Sequence, residues 1–321
     1  MKSILVIGSA NIDIQVDTER MPEKGETIFG RAIRYNLGGK GANQAVACGK
    51  LGGAVAFLGV VGDEPNIAAM RREMEQWGVN CDALETVSGQ ASGTAMICVD
   101  GQGDNRIIVI PGTNGLLSAK LVRKNRAMID ACGILILQKE IPWEGNREAV
   151  GIARALNKVI ILNPAPAGGE IDWETLQAVD YLTPNETELA LLSGCEVTNL
   201  DAAVAAGRKL LDRGIRNLIV TLGNNGSVWI HREGAFHCPS IHVDPVDTTA
   251  AGDTFNGAFA VALANGRDVP EAMQFATAAS AITVTRSGAL ESIPTRDEAL
   301  RLQERSWQKY GQSSRNTAVL Q

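Results

Sequence analysis

One acid at the head of an apolar run is the first residue in this sequence with the surroundings of a catalyst. Asp253 lies in "DTTAAGDTFNGA" (247–258), where small residues give way to a helix-like stretch, "TFNGAFAVALA". If a helix begins near Gly252, the backbone N–H groups of Ala251, Gly252 and Asp253 face the preceding loop and offer partial positive charge to an anion. That suits phosphoryl transfer, in which negative charge spreads over the equatorial oxygens of the group in flight. Asp253 could then take the proton of an attacking hydroxyl, while Gly252 lets a substrate approach the backbone. An acid that only stabilises the helix dipole would occupy the same place. Spacing does not choose between the two.

Other polar turns carry weaker signals. "LGGKGANQAVA" (37–47) has the glycines of an anion-binding turn and a lysine at a helix start. It lacks the Walker A spacing, and glycines that merely allow a tight crossing would look the same. "PNETE" sets Asn185 and Glu188 three apart at a helix start, which fits either a ligand pair or an ordinary capping box. No GxGxxG opens a helix after a strand, which argues against a dehydrogenase. His231, His237 and His242 match no zinc spacing, and turn or strand-surface positions explain them.

The elements that must position these residues alternate. Apolar runs at 4–8, 55–61, 134–138, 158–163, 180–184 and 217–223 are separated by helical patterns at 42–52, 66–78, 143–157 and 200–214. Continuous apolar strands between helices indicate an α/β fold, a mostly parallel sheet sandwiched by helices. Ligands of such sheets bind outside the carboxyl ends of the strands, where "GSANID", "QKE", "NPAP", "TPNETE" and "TLGNNG" fall. Two segments, about 12–37 and 93–110, instead alternate apolar and polar residues around turns. They imply a small antiparallel β-sheet lid over one edge. One domain over 1–310 is expected, with a frayed tail at 311–321.

Composition narrows the function. The chain has 321 residues, a net charge of −6 and no basic run longer than two residues, which argues against a nucleic-acid partner. No apolar run reaches the roughly 18 residues of a membrane span, and the start reads as a strand rather than a signal peptide. A cytoplasmic location is expected. The six cysteines are dispersed without a CxxC pair and read as buried and reduced.

Seven motifs taken together resemble the ribokinase-like (PfkB) carbohydrate kinase family, its bacterial ribokinase branch most closely. "GSANID", "GGKGANQA", "NPAPA", "TPNETE", "TLGNNG", "DTTAAGDTFNGA" and "AITVTRSGALESIP" follow the family's order from residue 8 to residue 294. The resemblance implies ATP-dependent phosphorylation of a pentose at its primary hydroxyl, D-ribose to D-ribose 5-phosphate first, with Asp253 as general base. 2-Deoxyribose, a ketose or a nucleoside are the rival substrates, and a catalytically silent sugar sensor is the alternative outside enzymes.

By the same resemblance Asn11, Asp13, Gly39, Lys40, Gly41, Asn43 and Glu140 hold the sugar. Asn185 and Glu188 organise Mg²⁺, largely through water, and Asn185 also faces the phosphates. Thr221, Gly223, Gly226, Gly252 and Thr277 form the ATP site. A K⁺ activator is implied beside the anion hole, on Asp247, Thr249, Ser292 and carbonyls near Thr283, Arg286 and Gly288. A homodimer joined through the lids is implied as well. Lys139, where ribokinases often carry an apolar residue, and Thr249, where an aliphatic residue is usual, depart from the pattern. The charge beside Glu140 either points to solvent or alters the sugar site, and it leaves the choice of sugar open.

Overall fold

The computed structural model describes residues 1–102, 104–169, 171–313 and 319–320. The chain opens with β1 (Ile4–Ile7), leaves it through β2 (Asn11–Asp17) and β3 (Ala32–Gly38), and returns by helix α1 (Lys40–Lys50) to β4 (Val55–Val61). Helix α2 (Pro65–Gln76), β5 (Val79–Thr86) and a second excursion, β6 (Gly93–Val99) and β7 (Asn105–Ile110), follow. Short helices α3 (Ala119–Lys124) and α4 (Arg126–Ala131) lead to β8 (Ile134–Leu137), α5 (Trp143–Ala155) and β9 (Val159–Leu162). Then come α6 (Trp173–Gln177), β10 (Tyr181–Leu182), α7 (Glu186–Ser193), α8 (Leu200–Asp212) and β11 (Leu218–Thr221). A hairpin, β12 (Ser227–His231) and β13 (Gly234–Cys238), precedes α9 (Ala251–Ala264), α10 (Val269–Thr283), α11 (Arg296–Ser313) and β14 (Val319–Leu320).

The main sheet runs β14-β13-β12-β11-β10-β9-β8-β1-β4-β5. The strands from β11 to β5 are parallel, and the other three add an antiparallel edge. Strand alternation divides the core. Ile4 and Val6 pack with α1, α9 and α10 on one face, while Leu5 and Ile7 pack with α5 and α8 on the other. From β1 the chain builds outward first through β4 and then, on the opposite side, through β8. The crevice beyond β1 and β8 is therefore the topological switch point, where such sheets bind ligands.

The second sheet has the order β3-β2-β6-β7, and its strands fall within the two segments that alternate in sequence. Its outer pairs are antiparallel, whereas the two inner strands, β2 and β6, run parallel. Both excursions leave the carboxyl ends of parallel core strands, so their first strands head the same way. One face of this sheet carries Tyr35, Met96 and Ile108 in a single cross-strand row, all exposed.

Several expectations shift. Strand β5 and the β12–β13 hairpin go unread in the sequence because each is interleaved with polar residues, as half-exposed strands near sheet edges are. The final helix continues to Ser313 because "RDEALRLQERSWQKYGQS" is rich in helix formers, and β14 then pairs with β13. Those two elements replace part of the tail expected at 311–321; residues 314–318 and 321 lie outside the described residues. No disulfide joins the cysteines, although Cys98 and Cys195 are only half-buried. No described helix is long and apolar enough to cross a membrane.

Candidate active site

Helix α9 starts without a side-chain cap. Its N-cap, Ala250, sits at φ 60, in the left-handed region that costs a residue bearing a Cβ about 1 kcal/mol or more. Helices α7, α8 and α10, by contrast, are each capped by an Asn or Asp side chain. The first amides of α9 have no carbonyl inside the helix to bond. That of Ala251 reaches Thr248 O at 3.3 Å, which leaves Gly252 and Asp253 as the better anion donors. A Cβ on Gly252 would meet nothing within 4 Å, so this turn is open to a ligand.

Asp253 follows in the first turn and is buried, 6% exposed. Its Oδ2 accepts from Asn43 Nδ2 and its Oδ1 from Gln44 Nε2, each at 2.9 Å. Both donors stand near the start of α1, so the carboxylate is held from outside its own helix.

The glycines of the α1 turn bring that helix onto the exit of β1. Gly39 has φ 90, and a Cβ on Gly41 would lie 2.6 Å from Gly8 C and Ser9 N. The anion at this helix start belongs to the protein. Glu140 Oε2 accepts from Lys40 N at 3.0 Å and from Ser9 Oγ at 2.6 Å, while Gly41 N donates to Ser9 Oγ at 3.3 Å. The turn that reads as an anion site in sequence is thus already neutralised from β8.

Four carboxylates surround one ammonium. Burial alone would pull Lys40 down, but Asp253, Glu140, Glu188 and Asp13 together hold its pKa above the ordinary value. Asp13 is pushed up to about 7, first by burial, then by Glu140 and Asp253, against the Ala95 N–H and Lys40. Asp13 Oδ1 and Asn43 Oδ1 are buried polar atoms without a partner. Such atoms are costly unless a ligand completes them. Asn11 keeps its amide oriented by accepting from Asn114 Nδ2 at 2.8 Å.

The carboxyl ends of β10 and β11 supply the next group. Asn185 and Glu188 form a reciprocal capping box on α7, with bonds of 2.8 and 2.9 Å. The box uses Oε2 of Glu188 and leaves Oε1. Burial raises the Glu188 pKa, partly offset by the Asn185 N–H and by Lys40 and Lys139. Thr221 bridges to Asn185, and Gly226, at φ 85, cannot carry a Cβ because it would sit 2.1 Å from Cys238 O. Thr277, on α10, lies 3.5 Å from Cys238 Sγ, which places it on the same edge. Gly223 opens the connecting turn at φ 49.

The cation set is brought together in part. Asp247 accepts from Thr249 N at 2.9 Å and from Gly288 N at 3.1 Å, tying the loop before α9 to the loop after α10. Thr283 instead turns its hydroxyl to Thr254 at 3.0 Å, and its carbonyl accepts from Arg286 N. The Arg286 guanidinium pairs with Glu298, and the Ser292 hydroxyl bonds Ala289 O.

Lys139 also points elsewhere. Its ammonium bonds the carbonyls of Pro166 and Gly168, beside a cavity of about 270 Å³ lined in part by Glu188 and Trp173. His231 stacks on Trp229, and His237 Nε2 lies 2.8 Å from Asn225 O. Sequence reasoning passed over Gln44, Asn114, Asn163, Thr183 and Asn256, although all but Asn114 sit inside the quoted motifs. A polar residue in an apolar run is their one visible signal.

Known proteins share this arrangement of elements. Residues 1–296 match the pfkB family carbohydrate kinase pattern. Ribokinase of Haemophilus influenzae is 40% identical over 94% of this chain and 99% of its own length. Deoxyribokinase of Salmonella typhimurium is 38% identical over 91% and 95%. The structure of Arabidopsis thaliana ribokinase complexed with ribose and ATP superposes with a TM-score of 0.89, at 32% identity, covering 94% of this chain and 99% of that one.

Proposed function

Because the chain belongs to the pfkB family of carbohydrate kinases, we propose that it transfers the γ-phosphoryl group of ATP to the primary hydroxyl of D-ribose, giving D-ribose 5-phosphate and ADP. The observation that carries the pentose reading is the pair of unpartnered buried oxygens, Asp13 Oδ1 and Asn43 Oδ1, in the cluster that holds Asp253. Sugar hydroxyls complete them. Asn11, Asp13, Lys40, Asn43 and Glu140 bind and orient the sugar, and the backbone at Gly39 and Gly41 sets α1 close enough to reach it.

Asp253 accepts the proton of the hydroxyl as its oxygen attacks phosphorus, and the bond to the ADP oxygen breaks. The amides of Gly252 and Asp253, with Ala251 beside them, hold the charge that spreads over the transferring group. Thr221, Gly223, Gly226 and Thr277 line the nucleotide site. Asn185 and the free oxygen of Glu188 are hard oxygen donors suited to Mg²⁺ and its waters, and the metal supplies neutralisation of the phosphate oxygens when bound.

K⁺ activates by fixing the loop before α9, held on Asp247, Thr249, Ser292 and the carbonyls near Thr283, Arg286 and Gly288. The second sheet acts as a lid, and its exposed row of Tyr35, Met96 and Ile108 packs on a second copy of the chain. The protein works in the cytoplasm.

A second reading, 2-deoxy-D-ribose, draws on the deoxyribokinase relative. A site that leaves buried polar atoms for sugar hydroxyls disfavours the sugar that lacks one. An ADP-release assay with Mg²⁺–ATP decides, comparing D-ribose, 2-deoxy-D-ribose, D-fructose and adenosine with and without K⁺. Ribose leading in kcat/KM supports the proposal. Deoxyribose leading by tenfold overturns the substrate, and sugar binding without ADP release would make the protein a sensor.

A further inference from the structure

A closed, buried ring of hydrogen bonds surrounds the start of α9. Gln44 Nε2 donates to Asp253 Oδ1 at 2.9 Å and to Asn163 Oδ1 at 3.3 Å. Asn163 Nδ2 donates to Thr183 O at 3.0 Å, and Thr183 Oγ1 donates to Asn256 Oδ1 at 2.6 Å. Asn256 Nδ2 then donates to Gly252 O at 2.8 Å. The ring thus starts on the carboxylate of Asp253 and ends on the peptide group whose N–H is Asp253's own.

Each amide in the ring has one orientation that satisfies it. Gln44 Oε1 accepts from Gln138 Nε2 at 2.7 Å, so its –NH₂ must face Asp253 and Asn163, and those two acceptors use both of its hydrogens. Gly252 O can only accept, so the –NH₂ of Asn256 must face it and its oxygen faces the Thr183 hydroxyl. Gln44 and Thr183 are 0% and 2% exposed. With every polar atom of Gln44 engaged, no substrate atom can reach it. Its neighbour Asn43 differs, for that side chain holds Asp253 and keeps an oxygen in reserve.

We infer that Gln44 is a positioning residue for Asp253, and that Asn163, Thr183 and Asn256 extend its hold to the Gly252–Asp253 peptide. This rests on the reading of Asp253 as the base. Anchoring Oδ1 fixes the carboxylate rotamer and leaves the Asn43 side of the group for the sugar hydroxyl. The bond from Asn256 polarises the peptide and strengthens its N–H as an anion donor. One network built on α1, β9, β10 and α9 thereby sets the base and the anion hole relative to each other. Helix α9 alone could not do so, since its first turn lacks a cap.

The test uses the full-length protein with D-ribose and Mg²⁺–ATP, reading kcat and both KM values. Gln44→Met keeps length but removes the donor to a charged acceptor, and kcat falls about tenfold to a hundredfold. Both KM values stay within about twofold, because Gln44 touches neither substrate. The same substitution strands buried groups on Gln138 and Asn163, so Thr183 provides a milder pair. Thr183→Val, equal in shape, lowers kcat about threefold to tenfold at unchanged KM, and Thr183→Ser, which keeps the hydroxyl, restores it.

A purely structural role would lower the folded fraction and spare the kcat of what remains folded. The inference is overturned by folded Gln44→Met or Thr183→Val with kcat within about twofold of the parent protein, or by losses that fall on KM instead. Asp253→Asn separates the two readings. If it keeps more than about a tenth of the activity, the base assignment fails first. If it is inactive while the ring variants are normal, only the ring falls.

Discussion

Asp13 should weaken the ligand-free protein as pH rises towards and past 7, and Asp13→Asn should relieve that strain while weakening sugar binding. The folded carboxyl holds its proton to about pH 7, against 3.8 for the ordinary group, because burial and the charges of Glu140 and Asp253 oppose ionisation. Between those values the folded state binds more protons than the unfolded one, so stability falls as pH rises from about 4 to 7. The shift of about three units corresponds to a ceiling of about 4 kcal/mol at 1.36 kcal/mol per unit. Asp13 is only half-buried, so solvent screening reduces this to about 2–3 kcal/mol.

Urea denaturation without ligands, from pH 5 to pH 8.5, reads the effect. Asn at position 13 carries no charge to bury, so the variant gains on the parent as pH rises, reaching an advantage of about 2–3 kcal/mol at pH 8.5. Its KM for ribose, read at pH 8.5 where the parent carboxyl is ionised, increases about tenfold to a hundredfold, since a charged acceptor of hydroxyl protons is gone. A stability difference that does not change with pH, or a parent protein more stable at pH 8.5, would refute the reasoning.

Gly252→Ala fills open space in a helical turn, so stability holds or rises by about 0.5–1 kcal/mol, while kcat drops at least tenfold because the methyl stands where the phosphoryl group arrives. Thermal melts with an ADP-release assay separate the two effects. Lys139→Leu leaves the ribose KM within about twofold, because the ammonium is spent on the carbonyls of Pro166 and Gly168; a larger change would place Lys139 in the sugar site. Ile108→Glu, in the exposed row of the second sheet, converts a dimer to monomer in sedimentation, and a parent protein that is already monomeric would remove the proposed interface.

The sequence by itself determined the α/β alternation and the two excursions that make the second sheet, and it nominated most residues of the candidate site. These are local signals. Continuous apolar runs report strands covered on both faces, and polar turns at their carboxyl ends report where a ligand can sit. It could not tell whether Asn185 and Glu188 cap a helix or face a ligand, and the structure has them do the first with one oxygen of Glu188 to spare. Nor could it say that the anion at the α1 turn is Glu140, a hundred positions away in the chain. The same limit hid Gln44, Asn163, Thr183 and Asn256. Their polar atoms acquire meaning only when β9, β10, α1 and α9 converge, because burial obliges each one to find a partner that local sequence does not contain.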